Sequence, residues 1–210
     1  MKQRLHHYIA LMLVIIGMMA CSGTQTKPHL NNSVNMDMPF TQAYAIYYGP
    51  FYEDIGIESH VFEMAFYTEG LAIDSAGYLV GTGYHLYVTD LFAVTSDSIP
   101  PQGSYHIDSI NYGNPFTMMP GKRMGDFSTG VELTQVGNEY VSTHLMTDGT
   151  LQLQWQGDTA HIQISMRTDN NGKVESSYTG KLPIYYVDYT FANGAKSKRN
   201  KVKVRKRYVL

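Results

Sequence analysis

Residues 151–167, LQLQWQGDTAHIQISMR, decide the fold class because apolar and polar residues alternate along them. In residues 151–156, two leucines and a tryptophan share one parity, and glutamines fill the other. In residues 161–167, two isoleucines and a methionine alternate with His, Gln, Ser and Arg. A period of two is typical of antiparallel strands with one buried face. Gly157-Asp158 lies between the two runs, where a hairpin turn is expected.

The same alternation occurs at residues 62–67 and 84–89, and turn pairs separate further runs at Asp148-Gly149, Asn171-Gly172 and Asn193-Gly194. Seventeen tyrosines against one tryptophan also favour β structure. We therefore predict a single all-β domain over residues 40–210. It contains about ten antiparallel strands in sequential hairpins, as an up-and-down barrel or a two-sheet sandwich.

The N-terminus resembles a bacterial lipoprotein signal. Lys2 and Arg4 precede an apolar run at residues 8–19, which is too short to span a bilayer, and the run ends in Met18-Met19-Ala20-Cys21. In that family the signal is cut before the cysteine, which then carries acyl chains. The resemblance implies a signal peptide at 1–20, lipidation of Cys21 and a flexible tether at 21–39. The alternative is a free cysteine in a discarded signal peptide.

The residues after Cys21 bear on localisation. Ser22, in place of an aspartate, resembles lipoproteins of the outer membrane, which implies a cell-envelope protein anchored to that membrane. Surface-exported lipoproteins of some Gram-negative anaerobes carry an acidic run at this point, and this chain does not. Whether the protein faces the periplasm or the cell surface therefore stays open.

Four short motifs resemble O-glycosylation sites of exported proteins in those anaerobes: Asp, then Ser or Thr, then a small or apolar residue. The candidate acceptors are Ser75, Ser98, Ser109 and Thr159. The alternative is that each Asp-Ser or Asp-Thr pair forms a turn, which these residues also favour.

Residues 141–182 resemble a module of uncharacterised lipid-anchored β proteins from Gram-negative anaerobes. The shared order is a glycine-led strand, a GD turn, an isoleucine-rich strand, a DxxG turn and a final Tyr-x-Gly-x-Leu, here at residues 178–182. The resemblance implies a lipocalin-like barrel or a related sandwich, and it implies no catalytic residues.

Charge is divided unequally along the chain. Between Cys21 and Ala195, six basic residues face 18 acidic ones, a formal charge of −12, and residues 196–210 carry eight basic residues. In this tail the basic residues Lys201, Lys203, Arg205 and Arg207 share one parity. Either the tail is a last strand whose charges protect a sheet edge, or it contacts lipid phosphates or acidic polysaccharide. No aromatic residues interleave with these charges as nucleic-acid binding requires, so no nucleic-acid partner is predicted.

Motifs for other chemistry are absent from the sequence. The histidines have no metal-ligand spacing, the DNNG at residues 169–172 lacks the calcium-loop pattern, and there is no G-x-S-x-G or H-E-x-x-H. We therefore predict no cofactor, no metal and no catalytic residues.

Three function classes follow. The first is a non-catalytic binding module that holds a small apolar ligand, a glycan or a peptide. The second is a structural or assembly protein that binds another envelope protein through its sheet edges and basic tail. A hydrolase is the third.

Overall fold

The computed structural model describes residues 34–75, 78–94, 99–125, 127–138, 141–187 and 204–207. Within these ranges the chain is all-β, as predicted, with one short 3-10 turn at Glu53–Ile55. The described residues do not include the predicted signal peptide, Cys21, residues 22–33, the Asn193-Gly194 pair or most of the basic tail. No described helix is long and apolar enough to cross a bilayer.

Sixteen strands are formed in these ranges. They are β1 Asn35–Asp37, β2 Gln42–Gly49, β3 His60–Tyr67, β4 Leu71–Ile73, β5 Leu79–Gly81, β6 Gly83–Ala93, β7 Gly103–Ile107, β8 Thr117–Met118, β9 Lys122–Met124, β10 Phe127–Thr129, β11 Val131–Val136, β12 Val141–Gln156, β13 Thr159–Thr168, β14 Lys173–Gly180, β15 Ile184–Val187 and β16 Val204–Arg207.

Five of the strands close into a barrel. β6 pairs with β11 and β8, β12 pairs with β11 and β7, and β7 pairs with β8. β13, β14 and β1 extend the sheet from β12, and β3, β2, β15 and β16 extend it from β6. β4–β5 and β9–β10 form separate hairpins. A closed barrel is therefore found, but its strands follow the order β6-β11-β12-β7-β8 and not the sequential order of an up-and-down barrel.

Three strand pairs are parallel, unlike the sequential hairpins that the alternation predicts: β1 with β14, β7 with β8, and β2 with β15. Alternation identifies the buried face of a strand but does not specify its partner or their relative direction. The long-range pairings therefore could not be predicted from the pattern.

The chain from β1 to β2 links the two extensions of the sheet. The Phe40 amide donates to Ser177 O on β14 at 2.8 Å, and the Thr41 amide donates to Tyr67 O on β3 at 2.8 Å. Val34 and Met36 are buried against the same core. Residues 34–39, which the sequence assigns to the tether, are thus part of the described β structure.

The inward-facing side chains form one continuous hydrophobic cluster. On β12 and β13 its members are those predicted from the alternation: Leu151, Leu153, Ile162, Ile164 and Met166, with Trp155 partly buried at its margin. The described interior is therefore occupied by the protein's own side chains.

One predicted turn is wrong. Asp148-Gly149 does not end a strand but lies within the 16-residue β12, beside an irregularity in the register between Met146 and Asp148. Gly149 has φ +133°, and a Cβ there would lie 2.3 Å from Ser165 O. An Asp-Gly pair satisfies the backbone of a bulge as well as that of a turn, so the pattern alone cannot separate the two.

Candidate functional site

The outward faces of β12 and β13 carry a cluster of uncharged amides. Gln152, Gln154, Gln156 and Gln163, with His161, line a groove of about 430 Å³, and the four glutamines are exposed. These five residues are called the glutamine surface below. The alternation that buries the leucines and isoleucines of both strands places these side chains together on the opposite face.

The strand register brings the members of the glutamine surface side by side. Gln152 lies opposite Gln163, and Gln154 lies opposite His161. Ser104 on β7 and Ser177 on β14 extend this polar row on either side. Opposed side chains in an antiparallel pair lie about 5 Å apart, close enough for two of them to contact one ligand group.

Charged residues lie at the margins of this face, where two ion pairs are formed. Lys181 contacts Asp158 at 2.8 Å, and Lys173 contacts Glu175 at 3.0 Å. The hydrogen bond from Lys181 lowers the pKa of Asp158, and the bonds from Lys173 and Ser165 lower that of Glu175. Both carboxyls are thus held as partnered carboxylates, and the surface between them is uncharged.

The backbone beneath the glutamine surface is already paired. β12 bonds to β7 and β13, and β13 bonds to β12 and β14. An added peptide strand needs free main-chain groups at a sheet edge, and at residues 150–153 β12 has a strand on both sides and offers none. Recognition here therefore depends on side chains. Each primary amide supplies two donors and an acceptor, a set that matches hydroxyl-rich neutral ligands.

Comparison with protein-family models finds no match to this chain, and comparisons with curated proteins and with solved structures also find none.

A second polar cluster lies on the outward face of β2, β3 and β6. Tyr48 donates to Glu63 Oε2 at 2.5 Å, and Tyr52 donates to Asp90 Oδ2 at 3.0 Å. Both carboxyls are buried, at 8% exposure each. Burial raises the pKa of Glu63 to about 7 and that of Asp90 to about 6, and the Tyr hydroxyl bonds oppose this only in part.

A β-bulge brings the two carboxyls to one place. The register between β3 and β6 shifts between Phe62 and Met64, so that two residues of β6, Thr89 and Asp90, stand across from Glu63 alone. An extra residue in one strand redirects the side chain beside it. The Asp90 charge then makes ionisation of Glu63 less favourable, which adds to the effect of burial.

A buried histidine adjoins this face at the other end of β3. His85 stacks on Tyr67 with ring centroids 4.7 Å apart, and its Nε2 has no hydrogen-bond partner among the described residues. Burial lowers the pKa of His85 to about 4, because no group compensates the lost hydration of its charged form. His85 is therefore neutral at physiological pH.

The predicted modification sites are spread over the molecule. Ser75 follows β4 and Ser109 follows β7, both exposed, and Thr159 is half-buried at the start of β13. Exposure is expected both of a glycosylated residue and of a residue in a turn. A turn is present at Ser109, where the Asp108 carboxylate accepts from the Ile110 and Asn111 amides. Ser98 lies outside the described residues.

The other predicted site residues are only partly described. Arg205 and Arg207 lie on β16, which pairs with β15, so this part of the basic tail is a strand. Cys21, Lys201 and Lys203 lie outside the described residues. In the part of the chain that the structure describes, no three His, Cys, Asp or Glu side chains converge as a metal site.

The alternation places the glutamines on the outward face, but they were not predicted to form a site. Four glutamines of one parity on two paired strands were the available signal. Glu63 was missed because the alternation assigns it to solvent, and Asp90 was missed because the bulge places it on the face opposite to the one that the parity of residues 84–89 predicts. Their burial results from Tyr48, Tyr52 and neighbouring residues that cover the sheet from outside, which no local pattern encodes.

Proposed function

We propose that this protein is a lipid-anchored cell-envelope binding module that holds a neutral glycan on the glutamine surface. The observation that carries the proposal is the exposed, uncharged amide cluster on β12 and β13, two strands that are paired with each other along its whole length. A ligand in the barrel interior would have to displace the side chains of the continuous core. The glycan is favoured over a peptide because its hydroxyls need only side-chain partners.

The glutamine surface is tested by removing a cross-strand pair of amides. We expect the double variant Gln152→Ala/Gln163→Ala to bind its glycan about tenfold more weakly, because about two hydrogen bonds of about 0.7 kcal/mol each are lost. The full chain is first assayed on immobilised neutral oligosaccharides and on neutral polysaccharides cast in gels. The affinity of wild type and variant for the retained glycan is then measured by calorimetry.

Gln42→Ala is the matched control, since Gln42 is exposed on β2, outside the glutamine surface. It should leave the affinity unchanged. If no neutral glycan is bound, or if the double variant binds as tightly as the control, the proposal fails. A stable complex with another envelope protein, in the absence of glycan binding, would instead favour the assembly function.

The proposed anchor has its own test. We expect Cys21→Ala to abolish incorporation of labelled fatty acid and to release the protein from the membrane fraction, since several acyl chains hold a protein on a bilayer almost permanently. Ser22→Ala is the control and should keep the label. Labelled fatty acid that still enters Cys21→Ala would disprove the anchor. The outer membrane is the proposed location, and separation of inner and outer membranes by density tests it.

A further inference from the structure

The hairpin β9–β10 carries apolar and basic residues together on an exposed tip. Met124 pairs with Phe127 in the register, and these side chains are 48% and 44% exposed. Lys122 and Arg123 precede them, also exposed. Apolar side chains flanked by lysine or arginine suit the boundary between lipid headgroups and acyl chains.

The hairpin has a fixed base. A Cβ at Gly130 would lie 2.0 Å from Pro120 O, and one at Gly121 would lie 2.4 Å from Val131 O, so the two ends of the hairpin are packed closely. The Gly121 amide also donates to Met146 O on β12 at 2.7 Å. The direction of the tip is therefore set by the barrel.

The base of the hairpin lies near the point where the chain from Cys21 reaches the barrel. Next to Met146, the Leu145 carbonyl accepts from the Asp169 amide at 2.9 Å, in the turn between β13 and β14. Val34 packs on this turn, where its carbonyl accepts from Lys173 N at 2.9 Å. The hairpin base and Val34 thus lie on either side of one short stretch of β12.

The length of chain before Val34 restricts how far this region can move from the anchor. Cys21 precedes Val34 by 13 residues, which span at most about 45 Å when fully extended. A lipid on Cys21 would therefore keep Val34, and the hairpin base beside it, within about 45 Å of the bilayer.

The charge pattern also distinguishes this hairpin from other exposed apolar loops. Lys122 and Arg123 are the only adjacent basic pair between Cys21 and Ala195, in a segment with a formal charge of −12. Burial raises the pKa of Glu132, and the nearby Arg123 charge lowers it in part. The sequence between the two strands of the hairpin adds one acidic residue, Asp126, against this basic pair. Ile55 and Ile110 are more exposed, at 73% and 84%, but their loops carry acidic residues and no lysine or arginine. The acidic residues of these loops are Glu53, Asp54, Glu58 and Asp108.

We propose that the β9–β10 hairpin contacts the membrane surface, with Met124 and Phe127 at the acyl boundary and Lys122 and Arg123 at the phosphates. The proposal rests on the proposed anchor at Cys21, which brings the hairpin to the bilayer. Contact at a second point fixes the orientation of the barrel, so that the anchor and the hairpin together decide which surfaces face away from the membrane.

The experiment places a fluorescent reporter at the tip. Phe127→Trp is prepared in the full chain, bound to vesicles of phosphatidylcholine and phosphatidylglycerol through its lipidated Cys21, with and without phospholipid brominated on its acyl chains. We expect the emission of the new tryptophan to shift to the blue and to fall to about half with brominated lipid, as for a residue at the headgroup–acyl boundary. Trp155, the only native tryptophan, gives the background in the wild-type chain.

Ile110→Trp is the matched control, since Ile110 is exposed on an acidic loop, and its emission should not respond to brominated lipid. Adding Lys122→Gln/Arg123→Gln to Phe127→Trp should reduce the quenching. Equal quenching at positions 127 and 110 would overturn the proposal. If mass spectrometry finds Cys21 unmodified, the proposed anchor is wrong. A maleimide phospholipid is then coupled to the Cys21 thiol, and the quenching at positions 127 and 110 is compared again, which tests membrane contact by the hairpin independently of natural lipidation.

Discussion

Phe66→Ala is expected to lower the free energy of unfolding by about 3–5 kcal/mol, the usual cost of removing a buried phenyl ring. Phe66 has 0% exposure, and its ring contacts those of Phe40 and Tyr178 with centroids 5.5 Å and 6.3 Å away. These three residues come from β3, from the segment between β1 and β2, and from β14. The substitution leaves a cavity where the two extensions of the sheet meet, and it removes two aromatic contacts worth about 0.5–1.5 kcal/mol each.

Urea unfolding, followed by far-UV circular dichroism and by Trp155 fluorescence, measures the loss. Phe127→Ala is the matched control: it removes the same atoms from a side chain that is 44% exposed on the β9–β10 hairpin. It should cost less than about 1 kcal/mol, because little buried area and no core cavity are involved. Equal losses in the two variants would contradict the placement of Phe66 at this junction.

The parts of the fold that could be predicted from the sequence are those set by local pattern. Alternation identified β12 and β13 and the side chains that each buries, and Gly157-Asp158 identified the turn between them. It failed at Asp148-Gly149, because a bulge and a turn require the same residues. It also missed β1, where Val34 and Met36 alternate over only three residues. Closure of the barrel depends on pairings between distant strands, which no short stretch specifies.

The candidate site, like the fold, could be predicted from the sequence only in part. The glutamines could be placed on one face because parity alone decides it. That these side chains line an uncharged groove, with no free sheet edge at residues 150–153, depends on β7 and β14, which lie on either side. The carboxyl pair was hidden for a related reason: Glu63 has the parity of an exposed residue, and its burial comes from side chains laid over the sheet. The tyrosines at 44, 48 and 52 were the available sign that this face is covered.

Glu63→Gln is expected to stabilise the protein increasingly as pH rises. Burial raises the pKa of Glu63 from 4.5 to about 7, so the folded state holds this proton more tightly than the unfolded state does. A raised carboxyl pKa means that stability is greatest below 4.5 and falls as pH rises through 7. Glutamine does not titrate and can still accept from Tyr48. The variant should therefore gain about 3 kcal/mol on wild type across this range, from about 1.4 kcal/mol per pKa unit.

The comparison must be between variant and wild type, because other groups titrate in the same range. Asp90, with its pKa raised to about 6, acts in the same direction as Glu63. His85 acts in the opposite direction: its pKa is lowered to about 4, so its contribution to stability is lost as pH falls. These two effects partly cancel in the wild-type profile, and the difference between variant and wild type isolates Glu63 together with its coupling to Asp90.

Urea unfolding of both proteins at a series of pH values from below 4.5 to above 7 gives this difference. Glu175→Gln is the matched control on β14, where the carboxyl is part-exposed and the bonds from Lys173 and Ser165 lower its pKa. It removes a stabilised carboxylate, so it should give no gain at high pH. A difference between Glu63→Gln and wild type that stays constant with pH would show that Glu63 is hydrated and ionised in the folded protein. The buried carboxyl pair described above would then be wrong.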